Sequence, residues 1–189
     1  MISINKIFEN LNVPDVRQST NYTCGPTVML SILTSYNIET REDTLSKLMN
    51  TTEKNGTEFS GFIKIAEKYN IKYEHKTFTI SDIKSFIDNN YPSIVLVQAY
   101  ADNKNINYIN SFENGHYAIP IDYDKDKIYF EDPSVINCIS YLTYKEFENR
   151  WHGLDENNEK IYNEGIVFLK QPVKSLKKFV HMENQYANI

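Results

Sequence analysis

Cys24 stands in Thr23-Cys24-Gly25-Pro26-Thr27, directly ahead of the strongest helical pattern in the chain. A thiol at that place feels the partial positive charge of a helix N-terminus and its unpaired backbone N–H groups. Both favour the thiolate that nucleophilic chemistry needs. Pro26 suits a first helical turn, where its missing N–H costs nothing, and Gly25 keeps the approach to the sulfur open. The alternative is a buried cysteine acting as a small hydrophobe, and Cys24 alone does not separate the two. Gln18 lies six residues upstream. Its amide could fold back and donate to the oxygen of a tetrahedral intermediate beside the Cys24 N–H, although a single Gln in a polar loop is ordinarily just solvated.

A cysteine nucleophile needs a base, and the four histidines differ in setting. His75 lies in a charged, strand-like stretch, His152 just past a helix end and His181 in the tail, so these three read as surface residues. His116 follows Gly115 and opens the apolar run Tyr117-Ala118-Ile119-Pro120-Ile121, which places it at the rim of a sheet. If the turn after that run centres near Asp124, position 132 falls opposite position 116. Directly opposed residues share a face, with Cβ atoms roughly 4.5 to 5.5 Å apart, so Asp132 could orient the imidazole and stabilise its protonated form. A shift of one residue in the turn would change that register. Separately, His116 could be a rim histidine bonded to backbone, and Asp132, ahead of Pro133, a turn-capping aspartate. The coincidence of all four residues favours catalysis. Cys138 falls in an expected strand, 135–142, and reads as core. A zinc site from Cys24, His116 and Cys138 lacks any local spacing signal, and no metal or other cofactor is expected.

The elements that must position these groups divide the chain in two. Val28, Met29, Ile32, Leu33 and Tyr36 recur at helical spacing over 26–36. A second helix is expected after Thr40, with Leu45, Leu48 and Met49 inward; a third over 60–69, with Phe62, Ile65, Ala66 and Tyr69 on one side; and a fourth over 82–89. The second half reads as strands: a buried one over 93–100, a hairpin of 116–123 and 127–131, and a short one over 166–169. Thr143 and Glu146 form a capping-box pair opening a helix that runs to Trp151. Helices first and an antiparallel sheet afterwards indicate an α+β domain, expected over 1–170, with 171–189 as a C-terminal tail.

Composition narrows the function classes. With 189 residues and 41% apolar content the chain suits one globular domain with a sizeable core. A net charge of −5 argues against a nucleic-acid partner, which needs a concentrated basic face. The Lys174, Lys177 and Lys178 cluster reads as a solvated face. Two cysteines are too few for a disulfide framework. The first residues lack a signal-peptide core, and the stretch 93–99 is too short to cross a bilayer. A cytoplasmic protein with reduced thiols and no membrane insertion is therefore expected; export by a route that reads no N-terminal signal stays open.

Gln18, five residues, then Cys24-Gly25-Pro26 opening an apolar helix, resembles the papain-like peptidases that process bacteriocin leaders at a double glycine. GFIKIAEKYNIKY is similar to that family's second helix, NGHYAIPIDYDKDKIYFEDPS to its Gly-His strand, hairpin and Asp-Pro segment, and YLTYKEFENRWHG to the Phe and Trp helix that follows. The resemblance covers most of residues 13 to 170. It implies a papain-like cysteine peptidase fold, with an N-terminal helical part packed on a C-terminal antiparallel sheet. It also implies Cys24 as nucleophile, His116 as base, Asp132 as orienter, Gln18 as oxyanion donor and a peptide or protein as substrate. Thr23 stands where transporter-linked members carry Asp, and no transmembrane or nucleotide-binding segment follows, so a free-standing member is expected and cleavage after a double glycine is not assured. Two other outcomes belong to the same fold: an acyl or peptidyl transferase or deamidase, and a non-catalytic peptide-binding domain. The sequence assigns no oligomeric state.

Overall fold

The apolar spacing that marks helices in the first half produces them in the computed structural model, which describes residues 11–103 and 105–173. Helix α1 spans Cys24–Ser35, α2 Glu42–Leu48 and α3 Phe59–Lys68. Each buries the face that its periodicity selects: Val28, Met29, Ile32 and Leu33 from α1, Leu45 from α2, and Phe62, Ile65 and Ala66 from α3. The second helix begins one step later than the sequence indicates. Arg41 is its N-cap and gives no side-chain cap, so Glu42 and Asp43 in the first turn supply the negative charge that this end favours.

Strand β1 (Tyr73–Thr77), helix α4 (Ile80–Asp88) and strand β2 (Ser93–Gln98) follow, then β3 (Gly115–Tyr123), β4 (Lys127–Glu131) and β5 (Ser140–Thr143). Thr79 and Asp82 form a full capping box at α4, which starts that helix two residues ahead of its expected first position. Helix α5 (Tyr144–Arg150) starts from the expected Thr143–Glu146 box. The chain then makes the small pair β6 (His152–Leu154) and β7 (Lys160–Tyr162) before β8 (Glu164–Phe168).

The main sheet has six strands in the order β1-β8-β2-β3-β4-β5, each antiparallel to its neighbours. Alternation along the strands sends side chains to two different cores. Leu96, Tyr117, Ile119, Ile166 and Phe168 meet α1, α2 and α3. Val95, Val97, Ala118, Phe130 and Val167 face the other way, toward Ile83 and Ile87 of α4 and Phe147 and Trp151 at α5. The rings of Phe147 and Trp151 stack at 4.6 Å between centroids.

Two expectations about single residues are corrected. Cys138 is exposed and precedes β5, because residues 135–137 turn instead of extending the strand. His152 is buried, since β6 folds it against the rings of Phe112 and Tyr162, where its Nε2 bonds the Tyr108 carbonyl at 2.9 Å. His75 is half-buried, its ring 4.6 Å from that of Phe59. His181, the lysine cluster and most of the expected tail lie outside the described residues. Among the described residues no helix is long and apolar enough to cross a membrane.

Candidate active site

Helix α1 begins at Cys24 itself. Its N-cap residue, Thr23, makes no side-chain cap bond, and the first turn carries no acidic residue, so nothing on the helix offsets the positive end at the sulfur. Gly25 is required by close approach: a Cβ there would stand 2.5 Å from Thr57 Oγ1. The same Thr57 accepts a bond from the buried Tyr117 hydroxyl through its carbonyl, at 2.8 Å, and this ties the start of the helix to β3.

His116 enters from β3, one residue past the strand's first position. Asp132 follows the last residue of β4. The two meet as Nε2 and Oδ1 at 2.8 Å, and both are buried. Their register is not the one inferred from the sequence. Ile119 faces Glu131, so one further step puts Asp132 opposite Ala118. The chain reverses later than expected, with Asp124 N bonding Lys127 O, and a bulge between Pro120 and Asp122 takes back part of the shift. The net displacement from His116 to Ala118 is even, so Asp132 stays on the same face and reaches the imidazole diagonally.

With Nε2 engaged by Asp132, Nδ1 is the nitrogen left for the Cys24 thiol, which the imidazole hydrogen-bonds. Burial works against the Cys24 thiolate. The hydrogen bond and charge of His116, with the backbone N–H groups of Tyr117 and Gly25, outweigh it and lower the thiol below its ordinary range. Burial likewise opposes the imidazolium, yet Asp132 and Cys24 together raise His116 to about 9. Asp132 is itself disfavoured by burial but held at about 2 by His116, Tyr100 and the Ser134 N–H. These directions favour a thiolate–imidazolium pair backed by a carboxylate.

Three donors beyond the imidazole converge on Asp132. Ser134 N reaches Oδ1 at 2.9 Å, Ser140 Oγ reaches Oδ2 at 2.8 Å, and the Tyr100 hydroxyl also donates to Oδ2. The Ser134 bond is the aspartate-capped turn legible ahead of Pro133, so Asp132 caps the turn and holds the histidine at once. Tyr100 and Ser140 had no signal in the sequence: they come from the β2–β3 connection and from β5, and only the tertiary fold brings them in. A cavity of about 480 Å³ opens on this side, lined by Tyr100, His116, Asp132, Ser140, Tyr108 and Arg150 among others.

Gln18 is fastened to the same turn. Its backbone N–H bonds Pro133 O at 2.9 Å, its Oε1 accepts from Ser134 Oγ at 3.2 Å, and its Nε2 donates to Thr20 O at 2.7 Å. An amide NH₂ has two donors, so this arrangement leaves Nε2 with a second N–H. Among the described residues no group of three or more His, Cys, Asp or Glu side chains is arranged to hold a metal ion.

Comparison with known proteins bears on the family and the fold. The profile of the Peptidase_C39 like family matches residues 10–158. No curated protein sequence matches the chain. Among solved structures, the peptidase domain of Streptococcus ComA, a bi-functional ABC transporter involved in a quorum-sensing pathway, superposes with a TM-score of 0.59 at 20% identity, over 82% of this chain and 97% of that one. A C39-like peptidase from Bacillus anthracis gives 0.61 at 17% identity, over 86% and 96%. A double-glycine-motif protease of an AMS/PCAT transporter, in complex with the leader peptide, gives 0.61 at 14%, over 87% and 94%. At such identities the structural likeness speaks for the fold, and the sequence profile for the family. The chain belongs to the Peptidase_C39 like family and has the papain-like α+β fold of its peptidase domains.

Proposed function

We propose that the protein is a cysteine peptidase that hydrolyses a peptide bond through a thioester on Cys24. The observation that carries this reading is the buried line from the Cys24 thiol through the His116 imidazole to the Asp132 carboxylate, with the sulfur at a helix N-terminus. The Cys24 thiolate attacks the carbonyl carbon, and the carbonyl oxygen takes up the negative charge. The Cys24 N–H and the second Gln18 Nε2 proton are the donors closest in role to an oxyanion hole. The His116 Nδ1 proton passes to the leaving amine as the tetrahedral adduct collapses to the thioester. Water, deprotonated by His116, then attacks the thioester carbonyl, releasing the acid and restoring the Cys24 thiolate beside a protonated His116. Asp132 remains ionised throughout and keeps Nε2 protonated and the ring in plane.

A peptide substrate accords with the neighbour that holds a leader peptide. The test is mass spectrometry of a synthetic peptide panel, leader-type sequences included, incubated with the protein and with Cys24→Ala. The wild type should cleave at a defined bond, and the variant should lose about a thousandfold or more in rate. Full cleavage by the variant would overturn the reading.

A further inference from the structure

Tyr100 occupies a backbone conformation that an aromatic residue seldom takes, with φ at +58°. Strained residues persist where the surrounding structure holds them for a reason, and here the side chain shows one. The phenol donates to Asp132 Oδ2, while the ring stands edge-on to the His116 imidazole, 86° between planes and 5.1 Å between centroids. Ser140 Oγ completes Oδ2 at 2.8 Å and also lies 3.3 Å from the phenol oxygen. The tyrosine is 54% exposed, whereas His116 and Asp132 beneath it are 6% and 4% exposed. One side chain thus roofs both members of the pair and closes the carboxylate's hydrogen-bonding shell.

We propose that Tyr100 is a positioning residue of the site, its hydroxyl fixing the Asp132 carboxylate and its ring fixing the His116 imidazole, with Ser140 as the second clamp on the same oxygen. This rests on the peptidase reading above and adds to it a group that touches neither sulfur nor scissile bond. The mechanics follow from donor counting. His116 and the Ser134 N–H fill Oδ1, and Tyr100 and Ser140 fill Oδ2, so the carboxylate has no freedom to rotate away from the ring. Deleting the phenol leaves one lone pair to water and loosens the imidazole about its bond to Oδ1. The phenol stays protonated and able to donate, because burial and the Asp132 charge push it up to about 12.

The titratable groups facing Asp132 are His116 from β3, Cys24 of α1 beyond it, Tyr100 from the β2–β3 connection, and Glu131 beside it on β4, which itself faces Asp15 of the N-terminal segment. Among these, only the phenol is removed by Tyr100→Phe, and the ring contact with His116 is kept.

The experiment measures the rate of iodoacetamide capture at Cys24 against pH, resolved from Cys138 by peptide mass spectrometry, in the wild type, Tyr100→Phe, Ser140→Ala and Asp132→Asn. Peptide cleavage is measured in parallel. In Tyr100→Phe the acid limb of Cys24 reactivity should move up by about half a pH unit or more, and kcat should fall about tenfold with KM within about twofold. Ser140→Ala should shift the limb the same way. In an Asp132→Asn background Tyr100→Phe should add nothing, because the carboxylate it serves is gone. An unmoved limb in both Tyr100→Phe and Ser140→Ala, or a change in KM alone, would overturn the inference and make Tyr100 a wall of the adjoining cavity. If wild-type Cys24 is instead no more reactive than Cys138 at mildly acidic pH, the peptidase reading itself fails, and the two failures are told apart.

Discussion

The imidazole of His116 is pulled in two directions, and the balance sets the pH range in which it carries charge. Burial favours the neutral ring; the Asp132 carboxylate and the Cys24 thiolate favour the charged one and win, holding the group at about 9. Cys24 moves the opposite way, below its ordinary range. The ion pair therefore exists between a lowered thiol value and a raised imidazole value, and the rate of peptide cleavage should be bell-shaped with its alkaline limb near pH 9. A single limb at the unperturbed histidine value, near 6.5, would contradict that balance. The same values act on stability. A folded-state histidine above its ordinary value contributes in full below 6.5 and loses that contribution as pH rises through about 9; Asp132, depressed to about 2, contributes in full above 3.8 and loses it on acidification. At this scale the sequence singled out Cys24, His116 and Asp132, which the fold brings together, because each stands at a local break: a helix mouth, a strand rim and an Asp-Pro turn. It was silent on Tyr100 and Ser140, which no spacing relates to the residues they touch.

Among the helices, the ends are as informative as the faces. Asn37, Asn50, Asn70 and Asn90 follow α1, α2, α3 and α4, and all four are left-handed, with φ from +52° to +58°. Asparagine tolerates that conformation better than other side-chain-bearing residues, so α1 to α4 are stopped by Asn where Gly is the usual choice. Asn70→Ala should lower stability by about 1 kcal/mol in urea denaturation, and Asn70→Gly should be neutral or stabilising. At the other end of a helix, Thr143→Ala deletes the reciprocal bonds with Glu146 and should cost about 1 kcal/mol in the same measurement. The helices and the β3–β4 hairpin were legible because their periodicity is strong and local. Strand β1 showed only as a charged, strand-like stretch around His75, because it is a half-exposed edge strand without clean alternation, and β6 and β7, of three residues each, did not show at all. The hairpin teaches the finer lesson. The parity of its register was readable, but the bulge and the wider turn that set its value are decided by packing.

Across the whole molecule, two long-range facts outweigh anything local. Glu131 is driven up to about 7 by burial, by the charge and hydrogen bond of Asp15, and by Asp132. The folded state therefore holds that proton more tightly than the unfolded chain does. Its stabilisation is complete below pH 4.5 and is lost as pH rises through about 7. Glu131→Gln should match the wild type near pH 4 and exceed it in urea resistance at about pH 8; equal stability at both would refute the assignment. The second fact is that β8 lies between β1 and β2, pairing residues 164–168 with 73–77 on one side and with 93–95 on the other. The family profile ends at residue 158, yet a chain cut at Tyr162 should lose cooperative unfolding, because β1 would have no neighbour and α3 no floor. Neither the Asp15–Glu131 encounter nor this strand order could be read from the sequence, since each joins segments far apart in the chain. During synthesis Gln18, Cys24, His116 and Asp132 all leave the ribosome before β8 does. At that stage the sheet runs from β2 to β5, and β1 has no strand beside it. The strand made last is thus the one that joins β1 and α3 to the rest of the sheet, and the fold closes only when nearly all of the described chain is out.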